Sequence, residues 1–340
     1  MRILVTGSAG FIAGYLVQQL LDEGHEVIGI DNFSKYGRVE RSYHRHPLYR
    51  FVEGDARDAG LLRELAAGCD HFVACAARIG GISYFHEYAY DLLADNERII
   101  AASFDAAIAA HRDRALQKIT VLSSSMVYEN ATVFPSPEGH QHECPPPTST
   151  YGFQKLACEY FARGAWEQYK LPYTICRPFN CVGIGESRAL GDKEVPSGNI
   201  KLAMSHVVPD LVQKVLKGQD PLHILGAGNQ TRCYTYGGDL ARGVALAMFA
   251  PAALNQDFNL STPVSTTVLE LAELIWSKVR GGGTPLRTVS DPPYPHDVQM
   301  RIPDVRKAKD VLGFEATTSL SSVLDEVIPW VEQEIAAGRI

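Results

Sequence analysis

The 340-residue chain lacks any uninterrupted apolar stretch near the roughly 18 residues that a membrane span requires. It also lacks a Cys-x-x-Cys pair. Its seven cysteines (Cys69, Cys75, Cys144, Cys158, Cys176, Cys181, Cys233) are odd in number and dispersed. Such usage fits buried thiols in a reducing cytoplasm better than a disulfide framework or a zinc site. Positive charge is short: 32 Lys and Arg stand against 39 Asp and Glu, a formal net charge of −7. That balance argues against a protein built around a nucleic-acid backbone, which needs a basic face, although it leaves room for a local basic pocket. No fixed-period repeat is present. The opening MRILVTG runs straight into a glycine turn and does not read as a cleavable signal sequence. A cytoplasmic protein with no membrane or nucleic-acid partner is therefore expected. The patch His44, Arg45, His46 reads as solvated surface, and no metal site is expected.

What the chain does have is 46% hydrophobic content, enough for one large α/β unit with a smaller lobe added. Short apolar runs at 2–6, 26–31, 49–54, 71–76, 119–124 and 173–178 read as strands. Helical patterns at about 11–23, 59–67, 87–112 and 151–169 separate most of them. Strands alternating with helices imply parallel βαβ units, so the first half predicts a doubly wound sheet. After Asn180 the texture changes to the polar, Gly- and Pro-punctuated loop of 183–199. Later helices at 203–217, 239–249, 267–279 and 319–336 belong to a less regular C-terminal portion. Thr267 followed by Glu270 gives one of them a capping-box start, and Gly281 to Gly283 read as a surface turn. The expected class is α/β: a Rossmann-type doubly wound parallel sheet with a smaller, mixed C-terminal substrate-binding lobe.

VTGSAGFIAG at 5–14 ends the first strand and opens the first helix. Gly7 and Gly10 let backbone pass close to a pyrophosphate, and the helix start offers N–H groups and positive partial charge. Ala13 stands at the third glycine position, an allowed variant. Asp31 closes the second strand about 20 residues beyond the loop, where a carboxylate accepts from a ribose hydroxyl and repels a 2′-phosphate. NAD is therefore expected over NADP, despite Lys35 and Arg38 nearby, and tighter binding of NADP would overturn this. The set expected to hold NAD comprises Gly7, Ala9, Gly10, Phe11, Ile12, Asp31, Asn32, Asp55, Ala56, Cys75, Ala76, Ala77, Asn96, Tyr151 and Lys155. Within it, Asp55 is placed for the adenine edge, and Cys75 to Ala77 are small enough to leave room at a strand end.

The strongest chemical signal is Tyr151-Gly-Phe-Gln-Lys155. Residues four apart share a helix face, with Cβ atoms about 5–6 Å apart, and an ammonium held near a phenol favours the phenolate that can act as a base. Alone the spacing is cheap; its company matters. Ser123, Ser124 and Ser125 end the fifth strand just upstream. Ligands of open parallel sheets sit at the carboxyl ends of strands, so these hydroxyls are expected to face the same crevice.

TGSAGFIA, SSSMVY, YGFQK and RPFN, in that order and spacing, resemble the extended short-chain dehydrogenase family of nucleotide-sugar epimerases and dehydratases. The resemblance extends to GAGNQTRCYTYGGDLARG (226–243) and DVRKAKDVLGF (304–314) and so covers nearly the whole chain. It implies Tyr151 as base, Lys155 as its partner and Ser124 as the hydroxyl that orients the substrate. It places the substrate's diphosphate at Asn180 and Arg232, where a guanidinium offers paired donors. Arg78, Ser125, Tyr151, Arg188, Val208 and Arg301 complete the expected substrate contacts, Arg301 standing in for an arginine missing ahead of His296-Asp297. His206 is placed either to approach the nucleotide or to pack. The implied division is 1–180 plus about 229–256 for the NAD-binding domain, and 181–228 with 257–340 for the nucleotide-sugar lobe. A homodimer through the helices near 87–112 and 151–169 is also implied.

Residues after Ser124 separate the reactions within this family. Members that eliminate water across carbons 4 to 6 carry Asp-Glu there, decarboxylases typically carry Glu, and 3,5-epimerases use a Cys one place further on. Here Ser125 and Met126 follow. Methionine cannot transfer protons, which leaves chemistry that needs only Tyr, Lys, a hydroxyl and NAD: oxidation at carbon 4, turnover of the keto sugar, and reduction on the other face. A UDP-glucose/galactose or UDP-glucuronate 4-epimerase is the expectation. For a uronate, Arg188, Lys193 and Lys201 are the available cations, because Ser187 occupies the position where uronate-binding members have arginine. Val-Tyr-Glu after Met126, in place of Val-Tyr-Gly, and ARIGGISYF (77–85), which resembles the 3,5-epimerase and epimerase-reductase branches, keep other family reactions open. These are epimerases of ADP- or GDP-linked sugars or heptoses, 4,6-dehydratases, decarboxylases and 4-keto reductases. A catalytically silent NAD-binding regulator is the remote alternative.

Overall fold

In the computed structural model, which describes residues 1–80, 87–113, 115–190, 194–202, 206–293 and 298–340, the first strand carries four consecutive buried side chains. Continuous burial of this kind is the mark of a strand covered on both faces. β1 (Arg2–Thr6) pairs in parallel with β2 (Glu26–Asp31) on one side and β4 (His71–Ala74) on the other. With β3 (Tyr49–Glu53), β5 (Lys118–Leu122), β6 (Tyr173–Pro178) and β13 (Gln256–Leu260), they form a seven-stranded parallel sheet in the order β13-β6-β5-β4-β1-β2-β3. The chain reverses direction across the sheet between β1 and β4. In an open α/β sheet that reversal leaves a crevice at the strands' carboxyl ends.

Helices cover both faces. α1 (Phe11–Asp22) presents Leu16, Val17 and Leu20 to one face, where it packs with α6 (Gly237–Phe249) and α8 (Arg306–Leu312). α2 (Ala59–Ala66), α3 (Ala89–Arg112) and α4 (Thr150–Tyr169) cover the other. A third apolar core belongs to the lobe, made by α5 (Val207–Leu216), α7 (Val268–Arg280) and α9 (Leu320–Ala336) around Leu222 and Ile224. The capping box reads as expected: Glu270 N–H donates to Thr267 Oγ1 at 3.1 Å and Thr267 N–H donates to Glu270 Oε2 at 2.7 Å. Gly281 to Gly283 are exposed, with nothing near enough to meet an added Cβ.

Short strands join lobe to sheet. β7 (Cys181–Val182) pairs with β12 (Thr235–Tyr236), and β11 (Thr231–Arg232) lies between β14 (Thr266–Thr267) and β16 (Met300–Arg301). β10 (Leu222–Leu225) runs parallel to β15 (Thr288–Asp291), and β8 (Val195–Ser197) forms a hairpin with β9 (Ile200–Leu202). β13, α8 and the short strands outside the main sheet are not among the elements expected from the sequence. β13 lies on the main sheet, so the limit expected at 256 falls at the start of a sheet strand. No described helix is long and apolar enough to cross a membrane. The His44 ring is not solvated surface: it stacks on Tyr49 at 5.7 Å, and its Nδ1 accepts from Arg41 N–H.

Candidate active site

A cleft of about 1370 Å³ runs from the glycine loop after β1, across the carboxyl ends of β4 and β5, into the lobe. Small-molecule sites are usually about 300–1,000 Å³, so this one has room for two ligands side by side.

At its cofactor end, Gly7 has φ +70°, and a Cβ there would lie 2.8 Å from the Ala76 backbone. Only glycine fits such a close approach of loop to β4. Gly10 precedes α1 without a side-chain cap, leaving the helix's first N–H groups open toward the cleft. Asp31 accepts from Ala9 N–H at 3.0 Å and Phe33 N–H at 2.8 Å. Burial pushes its carboxyl up from the ordinary value, with those two bonds and Arg41 opposing. Asn32 and Asp55 also line the cleft, and the Arg57 guanidinium bonded to Asp55 holds that carboxyl below its usual range. Ala56, Cys75, Ala76 and Ala77 line the cleft, as do Phe11 and Ile12 at the start of α1. Thr6, which the sequence reading passed over, fixes the end of β4 by accepting from Cys75 and Ala76 N–H, each at 3.1 Å. Asn96 is placed differently from expectation. It is buried, and both its amide groups pair with the Arg78 backbone, at 2.6 and 2.9 Å. It thus positions a residue of the cleft wall.

α4 begins at Ser149, whose hydroxyl accepts from Gly152 N–H at 3.0 Å. One helical turn then separates Tyr151 and Lys155, both buried and both on the cleft. Lys155 Nζ lies 5.9 Å from the Tyr151 ring centroid and donates to the Leu122 carbonyl at 2.9 Å, so the end of β5 holds the ammonium in place. Ser124 starts the short turn that follows β5, accepting from Met126 N–H at 3.2 Å, and it lines the same cleft with Ser125. Ser123 lines the cleft as well, but its hydroxyl donates to Glu159 Oε1 at 2.6 Å, beside the buried Arg177–Glu159 ion pair. Glu129 also lines the cleft, but its carboxylate accepts from the Ser149 hydroxyl at 2.6 Å and caps the approach to α4.

On the lobe side, β11 and β16 place Arg232 and Arg301 directly opposite each other, both on the cleft. Arg232 is anchored through Nη1 to the Thr231 carbonyl at 3.0 Å. Asn180 has φ +37° and a buried Oδ1 that no protein group meets, while its carbonyl accepts from Thr235 N–H at 3.0 Å. Val208 is buried in the wall, and Arg78 reaches the cleft while bonded to Asp95 at 2.7 Å. Arg188 is not brought in: it is exposed and faces Glu194 at 3.6 Å, as Lys201 does at 3.3 Å. Glu186 turns inward instead and bonds to Nδ1 of His206, with Lys35 and Arg301 close enough to act on that ring. Gly81, Lys193, His296 and Asp297 lie outside the described residues.

A glycine cradle, an open helix start and an acidic residue closing β2, placed beside a buried Tyr/Lys pair, define an NAD-binding oxidoreductive α/β enzyme. The chain belongs to the NAD dependent epimerase/dehydratase family, whose model matches residues 3–261. It is similar to a putative UDP-glucose 4-epimerase of Methanocaldococcus jannaschii, 27% identical over 97% of this chain and 98% of that protein. It is equally similar to UDP-glucuronic acid decarboxylase 1 of Danio rerio, 27% identical over 98% of this chain and 73% of the relative. Among solved structures, UDP-glucose 4-epimerase from Thermotoga maritima with UDP-glucose superposes with a TM-score of 0.80 at 28% identity, covering 98% of this chain and 100% of that one. NAD is the cofactor, and the class is that of nucleotide-sugar-modifying enzymes.

Proposed function

We propose that this chain is an NAD-dependent nucleotide-sugar 4-epimerase of the UDP-glucose/galactose or UDP-glucuronate type, cytoplasmic and homodimeric. The observation that carries the reading is the convergence of Tyr151, Lys155 and Ser124 on one cleft, together with what stands next to them. Positions 125 and 126 hold Ser and Met, so the acid or base needed to eliminate water or release carbon dioxide is lacking directly after Ser124. Glu129, further along, is committed to Ser149.

NAD, when bound, accepts a hydride from carbon 4 of the sugar and returns it. Gly7, Gly10 and the start of α1 would hold its pyrophosphate and Asp31 its adenosine ribose. Ser124 donates to, or accepts from, the carbon-4 oxygen and fixes its position. Tyr151 takes the hydroxyl proton as the carbonyl forms and gives it back when the opposite face is reduced. Lys155, tied to the Leu122 carbonyl, is held in place beside that phenol. Arg232, Arg301 and Asn180 hold the diphosphate while the sugar turns over.

Incubation with UDP-glucose, UDP-galactose and UDP-glucuronate, followed by mass spectrometry, tests this. An epimeric product of unchanged mass is expected, and loss of water or carbon dioxide would overturn it. Because Arg188 and Lys201 face Glu194 outside the cleft, the neutral hexoses are favoured over the uronate. Exposed Tyr90 on α3, with Phe153 and Tyr160 on α4, supports a second copy docking on those helices.

A further inference from the structure

Arg177 on β6 and Glu159 on α4 are both fully buried, and together they join the elements that carry the reactive groups. Arg177 Nε and Nη2 donate to the two oxygens of Glu159 at 2.7 and 2.8 Å. Nη1 donates to the Tyr128 hydroxyl at 3.0 Å, and Nη2 also donates to Asp257 on β13 at 2.6 Å. Glu159 lies one helical turn beyond Lys155 and two beyond Tyr151. Tyr128 closes the short turn that opens at Ser124. The other end of that turn is tied in as well, because the Ser123 hydroxyl donates to Glu159 Oε1 at 2.6 Å. We propose that Glu159 and Arg177 are positioning residues for the redox step at carbon 4. They fix where α4 sits along its axis, and so the spacing between the Tyr151 phenol and the Ser124 hydroxyl. The proposal rests on the carbon-4 reading given above.

Apolar packing alone does not supply that register. Against the sheet, α4 buries Cys158, Ala162 and Ala165, whose side chains are too short to interlock deeply. Leu156 joins an apolar group with Val127, Tyr128 and Phe179, but such contact carries no direction. A helix slipped by a single residue moves about 1.5 Å along its axis, and a misplacement of about 1 Å costs on the order of a hundredfold in rate. Hydrogen bonds between charged groups are short and directional. Here they run from Glu159 to both ends of the Ser124 turn, directly to Ser123 and through one guanidinium to Tyr128. Stability alone does not explain the pair, because well-packed apolar side chains of similar volume often serve as well or better. Holding a register is what an ion pair does and an apolar pair does not.

The double substitution Glu159→Leu with Arg177→Met tests this, since it replaces the ion pair by apolar side chains and leaves the former partners satisfied. Tyr128 still donates to Asn259 at 3.0 Å, Asp257 still accepts from Lys307 at 2.9 Å, and the Ser123 hydroxyl has the Lys155 carbonyl at 3.4 Å. Gln141, at 3.5 Å from Glu159, also meets His142, and Arg163, at 3.8 Å, is partly exposed. Interconversion of UDP-glucose and UDP-galactose by the NAD-loaded full chain is measured beside thermal unfolding. We expect kcat to fall about 10- to 100-fold while KM and NAD affinity stay within about twofold, because Arg232, Arg301 and the glycine loop are untouched. A purely structural pair would lower the melting temperature and leave kcat per folded molecule at the wild-type value; that kcat overturns the proposal. Should the double variant not fold, Tyr128→Phe and Ser123→Ala decide, each removing one tie to the Ser124 turn. A kcat lowered about threefold or more at unchanged KM supports the proposal, and wild-type kcat in both overturns it. A wild-type chain that does not interconvert the two sugars sinks the 4-epimerase reading instead. The register is then read from the rate at which UDP-glucose or UDP-glucuronate reduces the bound NAD, with an unchanged rate in the variants overturning it.

Discussion

A phenol serves as a base only where its oxygen meets the substrate and a neighbouring charge favours its ionised form. Tyr151 and Lys155 meet the structural part of that demand through one helical turn, one N-cap and one strand-end carbonyl. Tyr151→Phe removes the proton-transferring oxygen and little else, so turnover of the nucleotide sugar should fall about 10²–10⁴-fold. NAD binding, followed by quenching of protein fluorescence, should be unchanged. Full activity in the variant would remove Tyr151 from the mechanism. Residues with a fixed helical or strand-end setting were the legible ones: the glycine loop, Asp31 and the Tyr/Lys pair needed only local spacing to be located. The loop at 183–190 was not legible, because no period dictates which of its side chains turns inward. Arg188 and Glu186 are two residues apart, yet the cation faces solvent and the carboxylate faces the cleft.

At the scale of elements, six sheet strands announced themselves as apolar runs, whereas β13 did not. Its sequence, QDFNL, alternates polar residues that the interior then satisfies. Asn259 accepts from the Tyr128 hydroxyl at 3.0 Å and donates to the Ser136 carbonyl at 3.1 Å. Asp257 accepts from Arg177 at 2.6 Å and Lys307 at 2.9 Å. The edge strand is thus held by charge as well as by the sheet, and that holding depends on pH. Burial alone would raise the Asp257 carboxyl, but Arg177 and Lys307 outweigh it and hold the group well below the ordinary range. A carboxyl depressed in the folded state contributes stability above its unfolded pKa of about 3.9 and loses it as pH falls toward the folded value. Asp257→Asn should therefore cost about 1.5–3 kcal/mol in urea unfolding at pH 7. It should also flatten the fall in stability from about pH 5 downward. A variant as stable as the wild type at pH 7, with the same acid profile, would show that the Arg177 cluster does not secure this strand.

For the whole molecule, the question is how the sheet's ligand and the lobe's ligand know of each other. The segment that closes the substrate side, 183–190, hangs from residues of the cofactor side. Leu190 N–H donates to the Lys35 carbonyl at 2.6 Å, and Ile184 N–H donates to the Tyr15 hydroxyl at 2.8 Å. Arg41 bridges the two sides, donating through Nη2 to the Ala9 carbonyl at 2.8 Å in the glycine loop and to the Gly185 carbonyl at 3.4 Å. A ligand that orders the glycine loop thereby steadies the segment from which Glu186 reaches His206, so NAD and the nucleotide should favour each other's binding. Because such coupling is reciprocal, it can be read from either ligand. UDP affinity should rise when NAD is present, and Arg41→Met should reduce that rise by about threefold or more while leaving UDP affinity without NAD nearly unchanged. Four titrations, wild type and variant with and without NAD, complete the cycle. An identical NAD effect in both proteins would place the coupling elsewhere, in the Lys35 and Tyr15 contacts that the substitution leaves intact.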